Sequence, residues 1–154
     1  MEIKGMRIRH YVFAIILVVI TVAYLFMNIA YVKGFDGGVK GITAIFGGRE
    51  ILEDVLTLEF EPSYSGIIML LLLGISVFLL IRSAGEKSNS LMGVCGGLLI
   101  CCSLLNYGLF SNLEVEGTQL IELGINPVAY IYSLLCFGEG LLCFVYYRPA
   151  IKNK

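Results

Sequence analysis

Four unbroken apolar blocks constrain this chain more than anything else in it: "YVFAIILVVITVAYLFMNIAYV" (11–32), "SYSGIIMLLLLGISVFLLI" (63–81), "SLMGVCGGLLICCSLLNYGLF" (90–110) and "PVAYIYSLLCFGEGLLCFVYY" (127–147). A helix needs about 20 residues to cross a bilayer, and each block has that length. Hydrocarbon offers no water to backbone N–H and C=O groups, so spans of this kind must be helical. Composition agrees, because 58% hydrophobic and 15% charged residues leave too little polar surface to clothe a soluble domain of 154 residues. The expected fold class is all-α membrane, a four-transmembrane-helix antiparallel bundle in a single integral membrane domain, 1–154.

The block ends carry helix signals. Asn126-Pro127 reads as an N-cap followed by proline at the first helical position, where its missing N–H costs nothing. Ser63 and Ser88 or Ser90 are N-cap candidates for the second and third blocks, and Arg148-Pro149 closes the last. The first block follows Lys4, Arg7 and Arg9 like a signal peptide, but its apolar run is too long for a signal core and no small-residue cleavage site follows. It reads as a retained signal-anchor helix.

Charge sets the orientation. Lys4, Arg7, Arg9, Arg82, Lys87, Arg148, Lys152 and Lys154 fall on one side of the membrane, and only Lys33, Lys40 and Arg49 on the other. The positive-inside rule then places the protein in the cell membrane with both termini cytoplasmic. Tyr11, Tyr31, Tyr64, Tyr107, Tyr130, Tyr132, Tyr146 and Tyr147 lie near block ends, where amphipathic rings prefer to sit, and Tyr24 lies deeper.

The two outer loops are 33–62 and 111–126. In the first, "VKGITAIF" (39–46) and "VLTLEFE" (55–61) read as strands; in the second run Leu56, Leu58 and Phe60 alternate with polar residues. Gly47-Gly48 breaks the chain between them, and "REILEDVL" reads as a helix-like piece. The expectation is a small extracellular antiparallel β cap from the first outer loop, joined by "LEVE" or "QLIEL" of the second. Four helices, a short cytoplasmic turn and a strand-patterned first outer loop resemble the claudin-like tetraspan layout. The chain is also similar to small bacterial four-helix membrane proteins with a Gly-Phe…Phe-Gly loop pattern, here Gly34-Phe35 and Phe46-Gly47. Claudin tryptophan and loop cysteines are not present, so barrier function and family site residues do not carry over.

No catalytic motif, no paired carboxylates, no H-E-x-x-H and no C-x-x-C occur, which points away from an enzyme, a metal centre or a cofactor. The eight inner basic residues are spread over three short segments and explained by topology, so no nucleic-acid partner is expected. Cys95, Cys101, Cys102, Cys136 and Cys143 all lie within the blocks and read as small apolar packing residues. Gly93 and Gly97 form a G-x-x-x-G with Gly96 beside it, which serves either packing within the chain or a homodimer seam.

Glu139 is the one ionisable residue deep within a block, flanked by Gly138 and Gly140 in "CFGEGLLCF". Nine residues before Arg148, it lies roughly 13 Å from the inner interface at 1.5 Å per residue. The same depth on the other blocks brings Thr21, Gly74, Ser76 and Gly97 to its level. A carboxyl facing lipid costs several kcal/mol, so it should point inward. Two readings stand. In one, the protonated acid clamps helices by hydrogen bonding Thr21 or Ser76. In the other, it serves a proton- or cation-coupled pathway, which in a chain this small requires an oligomer. The first makes the chain a non-enzymatic structural or interaction tetraspan, whose partners are the lipid bilayer, a lateral membrane protein or a second copy. The second makes it a small oligomeric transporter or channel.

Overall fold

A computed structural model describes residues 2–53, 56–85, 90–111 and 123–147. Along the chain run α1 (Glu2–Phe26), β1 (Asn28–Val32), β2 (Gly38–Lys40), α2 (Gly41–Phe46), β3 (Gly48–Leu52), β4 (Leu56–Phe60), α3 (Tyr64–Gly85), α4 (Ser90–Ser111), β5 (Leu123–Ile125) and α5 (Pro127–Tyr147). Four of the helices, α1, α3, α4 and α5, are long and apolar enough to cross a membrane, so the chain is built as a multi-pass membrane protein.

Each long helix buries one stripe at three- and four-residue spacing. On α1 it is His10, Ala14, Leu17 and Tyr24; on α3, Met69, Leu73, Ser76, Leu80 and Ser83. On α4 it is Met92, Cys95, Leu99, Cys102, Asn106 and Leu109; on α5, Ala129, Tyr132, Cys136 and Cys143. That repeat is the seam of antiparallel helices packed at a shallow angle. Contacts fix the directions. His10 meets Ser83, Ser76 meets Cys95, and Asn106 meets Ala129, so consecutive long helices run in opposite senses. The opposite faces are also apolar: Ile15, Leu71, Phe78, Leu104 and Leu134 are each more than half exposed. Water would not tolerate that belt, and lipid does.

The helix starts are capped as their sequence signals imply. Asn126 Oδ1 accepts from Val128 N–H at 3.2 Å, and Ser63 Oγ accepts from Gly66 N–H at 3.4 Å.

The connections between α1 and α3 and between α4 and α5 carry the strands. β1 lies between β2 and β5 in an antiparallel sheet, with Tyr31 opposite Gly38 and Gly124. β3 and β4 form an antiparallel hairpin, with Arg49 opposite and ion-paired to Glu59. β5 brings the second loop into the sheet, although 112–122, where "LEVE" and all but the last residue of "QLIEL" fall, lie outside the described residues.

α1 begins earlier than its apolar block, at Glu2, and α3 runs on to Gly85, while three stretches differ in kind from the sequence reading, each for a physical reason. The first apolar block does not stay helical to residue 32. It leaves the helix at Phe26, and "NIAYV", rich in β-branched and aromatic residues, pairs as β1 with a bulge between Asn28 and Ala30. The run 39–46 splits into a short strand and the six-residue α2, because Gly41 sits against the Tyr24 carbonyl where a side chain would clash, turning the chain back onto the helix ends. "REILEDVL" does not open as a helix: Gly48–Leu52 is strand, held by the partner β4 rather than by its own propensity.

α2 seats this layer on the bundle. Ile45 is fully buried, packs against Gly66 of α3, and its carbonyl accepts from Ser63 N–H at 2.9 Å.

Candidate functional site

Glu139 lies on the buried face of α5, between Cys136 and Cys143, and is 8% exposed. Neither carboxyl oxygen has a hydrogen-bond partner among the described residues. Leaving such a group unpaired costs about 1–3 kcal/mol, and more if it is charged. Its place depends on the neighbouring helix. At Gly96 of α4 and Gly140 of α5 the backbones touch: a methyl on either glycine would lie 2.8 or 2.9 Å from the other's carbonyl oxygen. That approach brings the α4 backbone against α5 one residue beyond Glu139.

The hydroxyls expected at its level are spent elsewhere. Thr21 Oγ1 donates to Leu17 C=O at 2.7 Å and lies 3.4 Å from Tyr132 Oη, and Tyr132 precedes Glu139 by about two helical turns. Ser76 Oγ donates to Leu72 C=O at 2.8 Å. Hydroxyls in a helix satisfy themselves on the carbonyl one turn back, so neither is left to clamp the carboxyl.

The glycines divide. Gly96 and Gly140 make the helix crossing, whereas Gly74, Gly97 and Gly138 have nothing within 4 Å of where a side chain would begin. Gly93 is half-buried. Of the glycines around the G-x-x-x-G pair, Gly97 has open space and Gly96, beside it, packs against α5.

Of the cysteines, Cys101 is exposed, and Cys95, Cys102, Cys136 and Cys143 are buried and free. Cys136 and Cys143 lie one turn to either side of Glu139 on the buried face of α5. Among the described residues no group of three or more His, Cys, Asp or Glu side chains is placed to hold a metal ion.

A second polar layer lies nearer the strand-bearing end, and the sequence reading missed it. Asn106 is 1% exposed and fully engaged. Its amide donates to Ala129 C=O at 3.0 Å and to Ser133 Oγ at 2.7 Å, and its oxygen accepts from Tyr24 Oη. The Tyr24 and Tyr132 rings stack at 4.0 Å between centroids. Tyr132 is thus a core residue, 3% exposed, and not an interface anchor. The available signal was one amide inside an apolar block at a depth matching Tyr24 of a neighbouring span.

At the opposite end His10 is buried, with Nδ1 3.3 Å from Ser83 Oγ. The Arg9 guanidinium stands 5.6 Å over the Tyr146 ring.

No family model, no curated protein and no solved structure matches the chain.

Proposed function

We propose that this chain is a non-enzymatic membrane protein of the cell membrane whose working group is Glu139, a buried carboxyl that takes up a proton or small cation between α4 and α5. One observation carries the reading: both oxygens of Glu139 are buried without a hydrogen-bond partner, while the buried amide one layer away is fully bonded. A carboxyl kept for structure would be paired, because hydrocarbon makes an unpaired one expensive. An intramembrane acid without a hydrogen-bond partner in the protein is free to take up a proton or a small cation.

The positive-inside bias supports cytoplasmic termini and puts the strand layer outside. In a chain of four spans with one intramembrane acid, transport requires an oligomer. The outward-facing Gly97 and Gly138 offer a second copy close backbone approach.

A structural reading, in which the chain acts through contacts of the strand layer, is favoured by a different observation. Phe46, Ile51 and Tyr64 are each more than half exposed around that layer.

Ion flux into vesicles containing the purified chain separates the two. The carboxyl reading expects proton or alkali-cation flux in the parent and its loss in Glu139→Gln, with both proteins equally folded. No flux of any of these ions in the parent would remove it and leave the contact reading.

A further inference from the structure

The Gly96–Gly140 crossing has a consequence for the residues beside it. Cys95 precedes Gly96 on α4, and Cys143 follows Gly140 by one turn on α5. Both thiols are buried, at 0% and 1% exposure, and both are free. The register set by Gly96 against Gly140, and by Asn106 against Ala129 and Ser133, brings Cys95 opposite Cys143 across α4 and α5. A disulfide requires Cα atoms about 4.4–6.8 Å apart, closer than most packed helices come. Here the paired glycines draw the two backbones together at the level of the two thiols. Glu139 lies one turn before Cys143 on the same face of α5, and its oxygens are uncommitted. Two thiols and a proton acceptor thus lie buried along one crossing of α4 and α5.

We propose that Cys95 and Cys143 form a dithiol site for small uncharged peroxides, closing to a disulfide that locks α4 to α5, with Glu139 as the proton acceptor. The burial selects the substrate: an oxidant of the size of hydrogen peroxide permeates the bundle, and a bulky or charged disulfide carrier does not. The Cys143 thiol passes its proton to the Glu139 carboxylate, and the thiolate attacks one peroxide oxygen. The O–O bond breaks. The departing hydroxide takes the proton back from Glu139 and leaves as water, with sulfenic acid on Cys143. The Cys95 thiol then attacks that sulfur, the S–OH bond breaks, and hydroxide leaves with the thiol proton as a second water. Two sulfurs have lost one electron each, and the two peroxide oxygens have gained them. The step uses the carboxyl of the ion-binding reading but does not depend on transport.

The test is peroxide treatment of the full chain in lipid nanodiscs, with Cys101→Ala, Cys102→Ala and Cys136→Ala removing the other thiols. Hydrogen peroxide is followed by alkylation in denaturant, mass analysis and peptide mapping. The expected result is a mass lower by two hydrogens, a peptide joining Cys95 to Cys143, and recovery of both thiols with dithiothreitol. Glu139→Gln should slow closure about a hundredfold, the usual scale of a positioned acid–base group. Should the triple variant fail to fold, the same joined peptide is sought in the parent chain. Two thiols still open to alkylation, or sulfinic acid without a crosslink, would overturn the site. Equal rates with and without the carboxyl would overturn the part given to Glu139. No ion flux enters the readout, so this test and that of the ion-binding reading fail separately.

Discussion

Two buried polar layers of the same bundle are built in opposite ways. Around Asn106, three helices contribute: Tyr24 from α1, Asn106 from α4, and Ser133 with the Ala129 carbonyl from α5. Every polar atom there has a partner, and a stacked ring pair seals the layer. Around Glu139, α4 and α5 touch through glycine backbones, and the carboxyl has no partner among the described residues. One layer holds the helices in register; the other keeps an unbonded carboxyl at a cost. In a low-dielectric interior a fully bonded network specifies structure, and an unbonded group marks a place where structure has been given up for something else.

The comparison breaks most visibly at Asn106. Asn106→Leu strands Tyr24, Ser133 and the Ala129 carbonyl together. Interhelical bonds in membranes are worth about 0.6–2 kcal/mol each, so the loss should reach about 3 kcal/mol in an unfolding titration in mixed micelles. A loss under about 1 kcal/mol would show that the network is incidental.

Gly140→Val comes next. A side chain there would meet the Gly96 carbonyl at 2.9 Å and Ile100 at 3.0 Å, and backbone cannot move aside as a side chain does. Overpacking of this kind costs about 1–3 kcal/mol, and cysteine crosslinking between α4 and α5 should weaken with it. The smallest effect belongs to Gly97→Ala. Nothing lies within 4 Å of the added methyl, so monomer stability should change by no more than about 0.5 kcal/mol. A larger change that depends on protein concentration would place a second copy at that glycine.

The parts legible in the sequence are those fixed by the solvent. Long apolar runs must become helices in hydrocarbon, so the four spans and the Asn126 and Ser63 starts could be read directly. Residues 28–32 could not, because Ile29, Ala30 and Val32 are as apolar as the helix they follow, and only pairing with β2 and β5 makes them a strand. Gly48–Leu52 was misread for the same reason: its partner is eight residues further on. Glu139 was visible as a lone acid, and its burial follows from cost. Its surroundings were not, since depth along separate helices ignores register. That count put Thr21 at the carboxyl, yet Thr21 meets Tyr132 instead. Asn106 was passed over because an amide in an apolar block carries no periodic signal of its own.

Glu139→Leu in lipid nanodiscs tests the central claim most directly. If the carboxyl is unbonded, replacing it with an apolar side chain should leave the unfolding free energy unchanged or raise it by about 1 kcal/mol, as removing an unpaired buried polar group does. A loss approaching that of Asn106→Leu would mean that Glu139 is a structural clamp, and the distinction between the two layers would fall.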